Sequence, residues 1–191
     1  MKSIAVEDST YAKLSKLKAE INSERNLHMK FSDLFEELIR RSTGLYLFES
    51  ELRSALKSLT ERLSNYESVL GIILFGSVAK LNFNPNSDID VFVLVDKFSS
   101  STFDYIEKII LSVEMDYFEP LIKNKLPSQF SPFICSKDTI KAVSPIFFDI
   151  ADYGIIFYDK GGVASEFVDK YISMQHRRQY TEYGEILTWQ I

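Results

Sequence analysis

Two carboxylates and a Gly-Ser pair carry most of the chemistry this chain can be expected to do. Gly76-Ser77 follows the apolar run Leu70-Gly71-Ile72-Ile73-Leu74-Phe75, and ten residues separate Ser77 from Asp88-Ile89-Asp90, which opens a second apolar run, Val91-Phe92-Val93-Leu94-Val95. In a strand, residues i and i+2 project from the same face, so Asp88 and Asp90 point together with Ile89 opposite. Two carboxylates on one face of a buried strand repel each other and resist desolvation. A cation relieves both costs. Mg²⁺ suits the arrangement, since it is commonly held by one or two carboxylates plus substrate phosphates and waters. On the other side, a strand that ends in Gly and feeds a helix exposes backbone N–H groups. These, with the Ser77 hydroxyl, can take phosphate oxygens, and Gly76 allows close approach. The pattern therefore predicts a metal–nucleotide site for phosphoryl or nucleotidyl transfer.

These residues, from Gly76-Ser77 to Ser87-Asp88-Ile89-Asp90, resemble the signature of the DNA-polymerase-β-like nucleotidyltransferase superfamily. Its minimal members, found in prokaryotes and often part of toxin–antitoxin pairs, look most similar. The resemblance covers roughly residues 48–160 and implies an α+β (mixed α/β) core. It implies Asp88 and Asp90 as metal ligands and catalytic residues, Gly76 and Ser77 as holders of the nucleotide phosphates, and Ser87 as the residue that sets the Asp88 turn. It further implies Mg²⁺ as cofactor, an NTP as substrate, and a hydroxyl of a partner toxin protein or an RNA as acceptor.

The chain departs from the family pattern at two places. Many members carry a basic residue followed by Gly just after Gly-Ser, whereas Lys80 is followed by Leu81, which narrows the loop. Active members also carry a third acid on a later strand that helps bind metal and can deprotonate the acceptor. The strand expected there, Phe130-Ser131-Pro132-Phe133-Ile134-Cys135, has no carboxylate. Asp149, in Pro145-Ile146-Phe147-Phe148-Asp149-Ile150, is the nearest later acid in an apolar setting and the candidate catalytic base; that segment reads equally well as strand or helix. Asp116, on an expected helix, reads as a solvated residue.

The elements that must position these groups follow from periodicity. Leu52, Leu56, Leu59 and Leu63 fall on one helical stripe between Phe48 and Tyr66. Residues 100–124 read as a helix packing through Tyr105, Ile109, Val113 and Phe118. Gly154 to Tyr158 reads as a strand closed by the turn Asp159-Lys160-Gly161-Gly162, then a helix from Val163 to Met174. A last strand is expected at Glu185–Trp189. His176-Arg177-Arg178 reads as a solvated helix end, with contact to RNA or a partner as the sharper alternative.

Residues 1–44 form a separate expected module, with 45–191 as the nucleotidyltransferase-like domain. Lys2 to Val6 alternates as a short strand. Asp8 or Ser9 can cap a helix with Tyr11, Leu14, Leu17 and Ile21 on one face, and Ser32 a second ending at Arg40-Arg41 and Gly44. Strand–helix–helix of this length cannot bury a core alone, so a homodimer is expected. The segment resembles the ribbon–helix–helix DNA-binding domains of prokaryotic antitoxins, which implies DNA contact through the paired strand. The alternative is a helical hairpin used for dimerisation alone.

The whole chain, 191 residues with 46% hydrophobic and 14% aromatic content, can bury a real core. Its net charge of −5 is uneven: residues 1–45 hold eight Lys/Arg against seven Asp/Glu, and the rest hold fourteen against twenty. The second part is thus no general nucleic-acid binder. The single cysteine, Cys135, excludes an internal disulfide and fits a reducing compartment, read as buried and inert. No apolar run approaches the roughly 20 residues a membrane span needs, and the first residues lack a signal-peptide stretch, so a cytoplasmic protein is expected. His28 and His176 have no companions at zinc spacing. Two functions fit: Mg-dependent transfer of an NMP from an NTP, or a decayed nucleotidyltransferase fold serving as a DNA-binding antitoxin or transcriptional regulator. Modification of a small molecule such as an aminoglycoside is a third, without the large acceptor domain such relatives tend to carry.

Overall fold

The computed structural model describes residues 15, 30, 48–174, 176–181 and 184–189. The chain divides into two compact units, Met1–Ser42 and Thr43–Ile191. Apart from Ser15 and Lys30, the expectations placed on residues 1–44, including the DNA-contacting strand and His28, lie outside the described residues.

The second unit has the α+β architecture that the resemblance implies. Its elements are α1 (Ser50–Ser64), β1 (Val69–Leu74), the single turn α2 (Gly76–Ala79), β2 (Ile89–Val95), α3 (Ser100–Lys123) and β3 (Phe130–Ser136). A 3-10 turn at Thr139–Lys141 leads to α4 (Pro145–Tyr153), β4 (Ile155–Asp159), α5 (Val163–Ser173), β5 (His176–Thr181) and β6 (Gly184–Trp189). Four strands form one mixed sheet in the order β3-β2-β1-β4. β1 runs antiparallel to both β2 and β4, while β2 and β3 are parallel.

β1 is buried at all six positions, which explains its unbroken apolar run: a strand covered on both faces has no polar alternation. On one face, Ile72, Leu74, Val91 and Val93 pack with Leu52, Leu56, Leu59 and Leu63 of α1 and Ile106, Ile110 and Val113 of α3. On the other, Ile73, Phe92 and Leu94 pack with Phe147 and Phe148 of α4 and Phe167 and Tyr171 of α5. Phe92 lies within 5.1 Å of Phe167 and 5.7 Å of Phe133, ring centre to ring centre. Cys135 belongs to this second core, and burial pushes its thiol up to about 11, so it is an inert packing group.

The helix ends are set by local chemistry. The Ser99 hydroxyl accepts from the Thr102 N–H at 3.1 Å and starts α3. At its other end, Leu126 N–H reaches the Leu121 carbonyl and Lys125 N–H the Ile122 carbonyl, with Lys125 at φ 56. This is a Schellman ending. Pro145 occupies the first turn of α4. The Asp159 carboxylate accepts from Ala164 and Ser165 N–H at 2.8 and 3.1 Å and starts α5 after the Gly161-Gly162 turn.

Two expectations are corrected. The buried stripe of α3 is Thr102, Ile106, Ile110, Val113 and Leu121. Of the expected packing residues Val113 is fully buried, Ile109 packs against the same core and Tyr105 stacks on Tyr66 at 4.2 Å, but Phe118 is 52% exposed. A helix with apolar residues on two adjoining stripes leaves the choice of buried face to the sheet it meets. His176-Arg177-Arg178 is not a helix end: α5 stops at Ser173, and these residues form β5, in antiparallel register with β6 from His176↔Trp189 to Thr181↔Gly184. No helix among the described residues is long and apolar enough to cross a membrane.

One backbone feature yields a stability prediction. Leu81, just after α2, has φ 54 and is 51% exposed. A side chain in the left-handed region costs roughly 1–2 kcal/mol, and an exposed leucine recovers little by burial. Leu81→Gly is expected to stabilise the fold by about 0.5–1 kcal/mol after the larger unfolded-state entropy of glycine is counted. Thermal melts check this; an unchanged or lower midpoint goes against it.

Candidate active site

The sheet topology places the two ends of the motif side by side. Phe75, after β1, donates its N–H to the Asp90 carbonyl at 2.9 Å, so the start of α2 lies beside the start of β2. Asp90 shares the face of Phe92 and Leu94, the face covered by α4 and α5. The loop between them is folded on itself. Ser87 Oγ accepts from Asn84 N–H at 3.0 Å, Ser87 N–H reaches the Asn84 carbonyl at 2.9 Å, and Asn84 Oδ1 accepts from Asn86 N–H at 2.9 Å. Ser87 thus builds the turn that delivers Asp88. Ile89, buried on the opposite face, anchors the strand through its N–H to the Gln129 carbonyl at 2.8 Å.

Gly76 has φ +70, and a Cβ there would collide with the Asp90 carboxylate. The glycine is therefore required by the carboxylate behind it. The first N–H groups of α2, at Gly76 and Ser77, belong to the set that no helix satisfies internally.

Asp90 is half-buried and Asp88 exposed. Burial holds the Asp90 carboxyl above the usual carboxylate range, the charges of Asp88 and Asp149 push it further the same way, and Lys80 opposes them. Asp149 therefore belongs to the same electrostatic neighbourhood, although it stands on a helix and not a strand. Its Oδ1 accepts from Lys80 Nζ at 2.7 Å, and that ammonium also lies 4.5 Å from the centre of the Tyr153 ring. Lys80 enters this neighbourhood from one turn after Gly76, a spacing visible in the sequence.

No third acid stands on the neighbouring strand. Asp90 is in parallel register with Ser131 of β3, and Phe92 with Phe133, so the position beside Asp90 on that face holds a hydroxyl. Asp116 lies elsewhere, paired with Arg62 across α1 and α3. Among the described residues no group of three or more His, Cys, Asp or Glu side chains is gathered closely enough to hold an ion. The donor set is thus the carboxylates of Asp90, at the start of β2, and Asp88, just before that strand, which fits Mg²⁺ completed by phosphates and waters and does not fit an all-protein cage.

Comparisons with known proteins bear on the same stretch. No curated protein matches the chain. Among solved structures it is similar to a chain of a toxin–antitoxin crystallised with AMP-PNP, at 18% identity, covering 65% of this chain and 86% of that one, with a TM-score of 0.39. It is similar to a chain of a mutant MntA–HpeT toxin–antitoxin at 16% identity, covering 63% and 82%, with a TM-score of 0.41. A third similarity is to a chain of the Shewanella oneidensis tri-AMPylated HEPN toxin in complex with MNT antitoxin, at 16% identity, 64% and 84% coverage and a TM-score of 0.37. Residues 57–131 match the family described as Polymerase beta, Nucleotidyltransferase. That stretch runs from within α1 to the start of β3 and holds Gly76, Ser77, Asp88 and Asp90.

Proposed function

We propose that this protein transfers a nucleoside monophosphate from an NTP to a hydroxyl of a partner protein or an RNA, within a toxin–antitoxin system. The observation that carries the reading is the pairing of Gly76 with Asp90: a glycine-started helical turn pressed against the carboxylate at the start of β2, with the charge of Asp88 near enough to act on it. Asp88 and Asp90 would hold Mg²⁺, whose charge when bound stabilises the attacking and leaving oxygens. Gly76 and Ser77 hold the triphosphate through backbone N–H groups and the Ser77 hydroxyl. Ser87 fixes the turn that presents Asp88. The acceptor oxygen bonds to the α-phosphorus as the α–β bridge breaks, pyrophosphate leaves, and the hydroxyl proton passes to a base. Asp149, ion-paired with Lys80, serves as a counter-charge in this reading, and the proton leaves to Asp88, Asp90 or water. The acceptor class to test first is a side-chain hydroxyl of a partner protein, by the resemblance of the signature to the toxin-pair members.

The test is transfer of label from NTPs radiolabelled at either the α- or the γ-phosphate to macromolecules of a cell lysate, with and without chelator. Label from the α position alone, abolished by chelator and reduced roughly a thousandfold in Asp88→Asn, is the expected result. That figure follows from several kcal/mol of charge stabilisation at about 1.36 kcal/mol per tenfold. Transfer of the γ-label, or an Asp88→Asn variant as active as wild type, contradicts the reading.

A second reading is favoured by one observation, the hydroxyl of Ser131 where a third acid would stand beside Asp90. In it the core has lost catalysis and residues 1–44 bind DNA as a dimer. Sequence-specific DNA binding that needs residues 1–44, with no product from any NTP, would select it.

A further inference from the structure

Ile89 stands between the two carboxylates, and its backbone bears on where they sit. Its N–H donates to the Gln129 carbonyl at 2.8 Å, while the next carbonyl, that of Asp90, accepts from the Phe75 N–H at 2.9 Å. The head of β2 is therefore tied to β3 at one residue and to the end of β1 at the next. The tie to β3 is as firm as whatever holds the Gln129 carbonyl. β3 is an edge strand, and successive residues of a strand turn their N–H and C=O groups to opposite edges. Gln129 turns toward β2, as does Lys137 at the far end, whose N–H takes the Val95 carbonyl at 3.1 Å. Phe130 and Pro132 thus turn their backbone to the open edge. Pro132 has no N–H to satisfy there. The Phe130 N–H does need a partner, and it donates to Glu114 Oε1 of α3 at 2.7 Å.

The Gln129 carbonyl and the Phe130 N–H belong to one peptide group. That group is planar and trans, so its carbonyl and N–H point in opposite directions and fixing one fixes the other. A carboxylate accepting from a backbone N–H makes a charge-assisted bond, shorter and stronger than a neutral one. By polarising the peptide it also strengthens the bond that the carbonyl accepts from Ile89. The link from Glu114 to Ile89 thus contains one side chain and one rigid plane, and both Phe130 and Ile89 are buried in the same core.

We propose that Glu114 is a positioning residue for the site: it fixes the Gln129–Phe130 peptide, and through the Ile89 N–H that peptide sets Asp88 and Asp90. The proposal rests on the nucleotidyltransferase reading given above and adds to it a residue from α3, on the opposite side of the sheet from α4 and α5. A glutamate that merely capped an edge N–H would affect stability and the Phe130 amide. A positioning glutamate affects the Ile89 amide and the rate of the reaction as well.

Amide hydrogen exchange on the full chain, free of metal and nucleotide, reads the link directly. Lys137 is the gauge, because it ends the same β2–β3 ladder and reports any general loss of stability. Glu114→Ala is expected to speed exchange at Phe130 and at Ile89 at least about tenfold more than at Lys137. Glu114→Gln keeps an acceptor oxygen without the charge, so the two amides should quicken about threefold, and this variant carries the comparison if the alanine variant does not fold. Transfer of α-label from NTP is the second readout. A small displacement of the carboxylates in Glu114→Ala should lower the rate at saturating NTP about tenfold. KM should stay within about threefold, because the phosphate-holding turn α2 is untouched, and Glu114→Gln should recover most of the rate. Faster exchange at Phe130 with Ile89 moving no more than Lys137, or an unchanged saturated rate in Glu114→Ala, overturns the proposal and leaves the nucleotidyltransferase reading standing. A wild type that transfers no α-label overturns both.

Discussion

Asp90→Asn should make the metal-free protein more stable while removing its activity. The two effects have one origin. Asp90 is half-buried at the head of β2, and its carboxyl is held above the usual range by burial first, then by Asp88 and Asp149. An acid whose folded pKa is raised binds its proton more tightly in the folded chain. Below the ordinary value near 3.8 it contributes no difference; as pH rises from there through the raised folded value, the fold loses stability. Asparagine keeps the shape and removes the charge. The variant should therefore melt higher than wild type at neutral pH without divalent metal, and its melting midpoint should fall less as pH rises through that window. Addition of Mg²⁺ reverses the ranking. A ligand at about a hundred times its dissociation constant stabilises by roughly 2.7 kcal/mol, and that increment should appear in wild type and vanish in the variant. Activity should fall roughly a thousandfold, from the loss of several kcal/mol of charge stabilisation. Thermal melts with and without Mg²⁺, beside a label-transfer assay, read all of this. A variant that melts lower than wild type without metal, or that keeps its activity, is incompatible with Asp90 as a strained metal ligand.

The part of the site that lies on consecutive residues could be read from the sequence. Asp88 and Asp90 are two residues apart in sequence and the charge of Asp88 acts on Asp90, and the apolar runs on either side of the loop have the composition of doubly buried strands. Even the fold of the loop was signalled, since Asn84-Pro85-Asn86-Ser87 is turn chemistry. The part that depends on packing could not be read. Asp149 sits 69 residues from Lys80 along the chain, and only the docking of α4 on the Phe92 face brings them together. The absence of a carboxylate on β3 was visible, but that Ser131 is the residue beside Asp90 required the parallel register. His176 to Arg178 lacked any apolar period by which a strand could be told from a helix end. On α3, Phe118 satisfied the helical period and still faces water, because periodicity names apolar stripes without naming the one the sheet covers.

Gly76→Ala is expected to damage both the fold and the site, and the reason is the carboxylate behind it. From sequence, Gly76 serves the approach of a phosphate, and its replacement would weaken nucleotide binding with little effect on the empty protein. The structure adds a second demand. Gly76 has φ +70, which costs a side chain roughly 1–2 kcal/mol, and the new methyl lands on the Asp90 carboxylate. Asp90 must move, although its backbone is tied to Phe75 by a 2.9 Å hydrogen bond. A displacement of about 1 Å at a catalytic group can cost on the order of a hundredfold in rate, so Gly76→Ala should lose at least that much activity. Its melting midpoint should fall by about 3–20 °C in the absence of any nucleotide, the backbone cost and a collision of about 0.5–3 kcal/mol together acting at roughly 2–4 °C per kcal/mol for a chain of this size. A double-mutant cycle separates strain from collision. In an Asp90→Ala background the carboxylate is gone, leaving only the Asp90 Cβ, 3.1 Å from the position of the new methyl. The stability cost of Gly76→Ala should then shrink toward the backbone term, giving a coupling within the 0.5–3 kcal/mol seen between contacting residues. An identical cost in both backgrounds would mean that the glycine answers to the backbone or to the phosphate alone, and that its pairing with Asp90 is incidental.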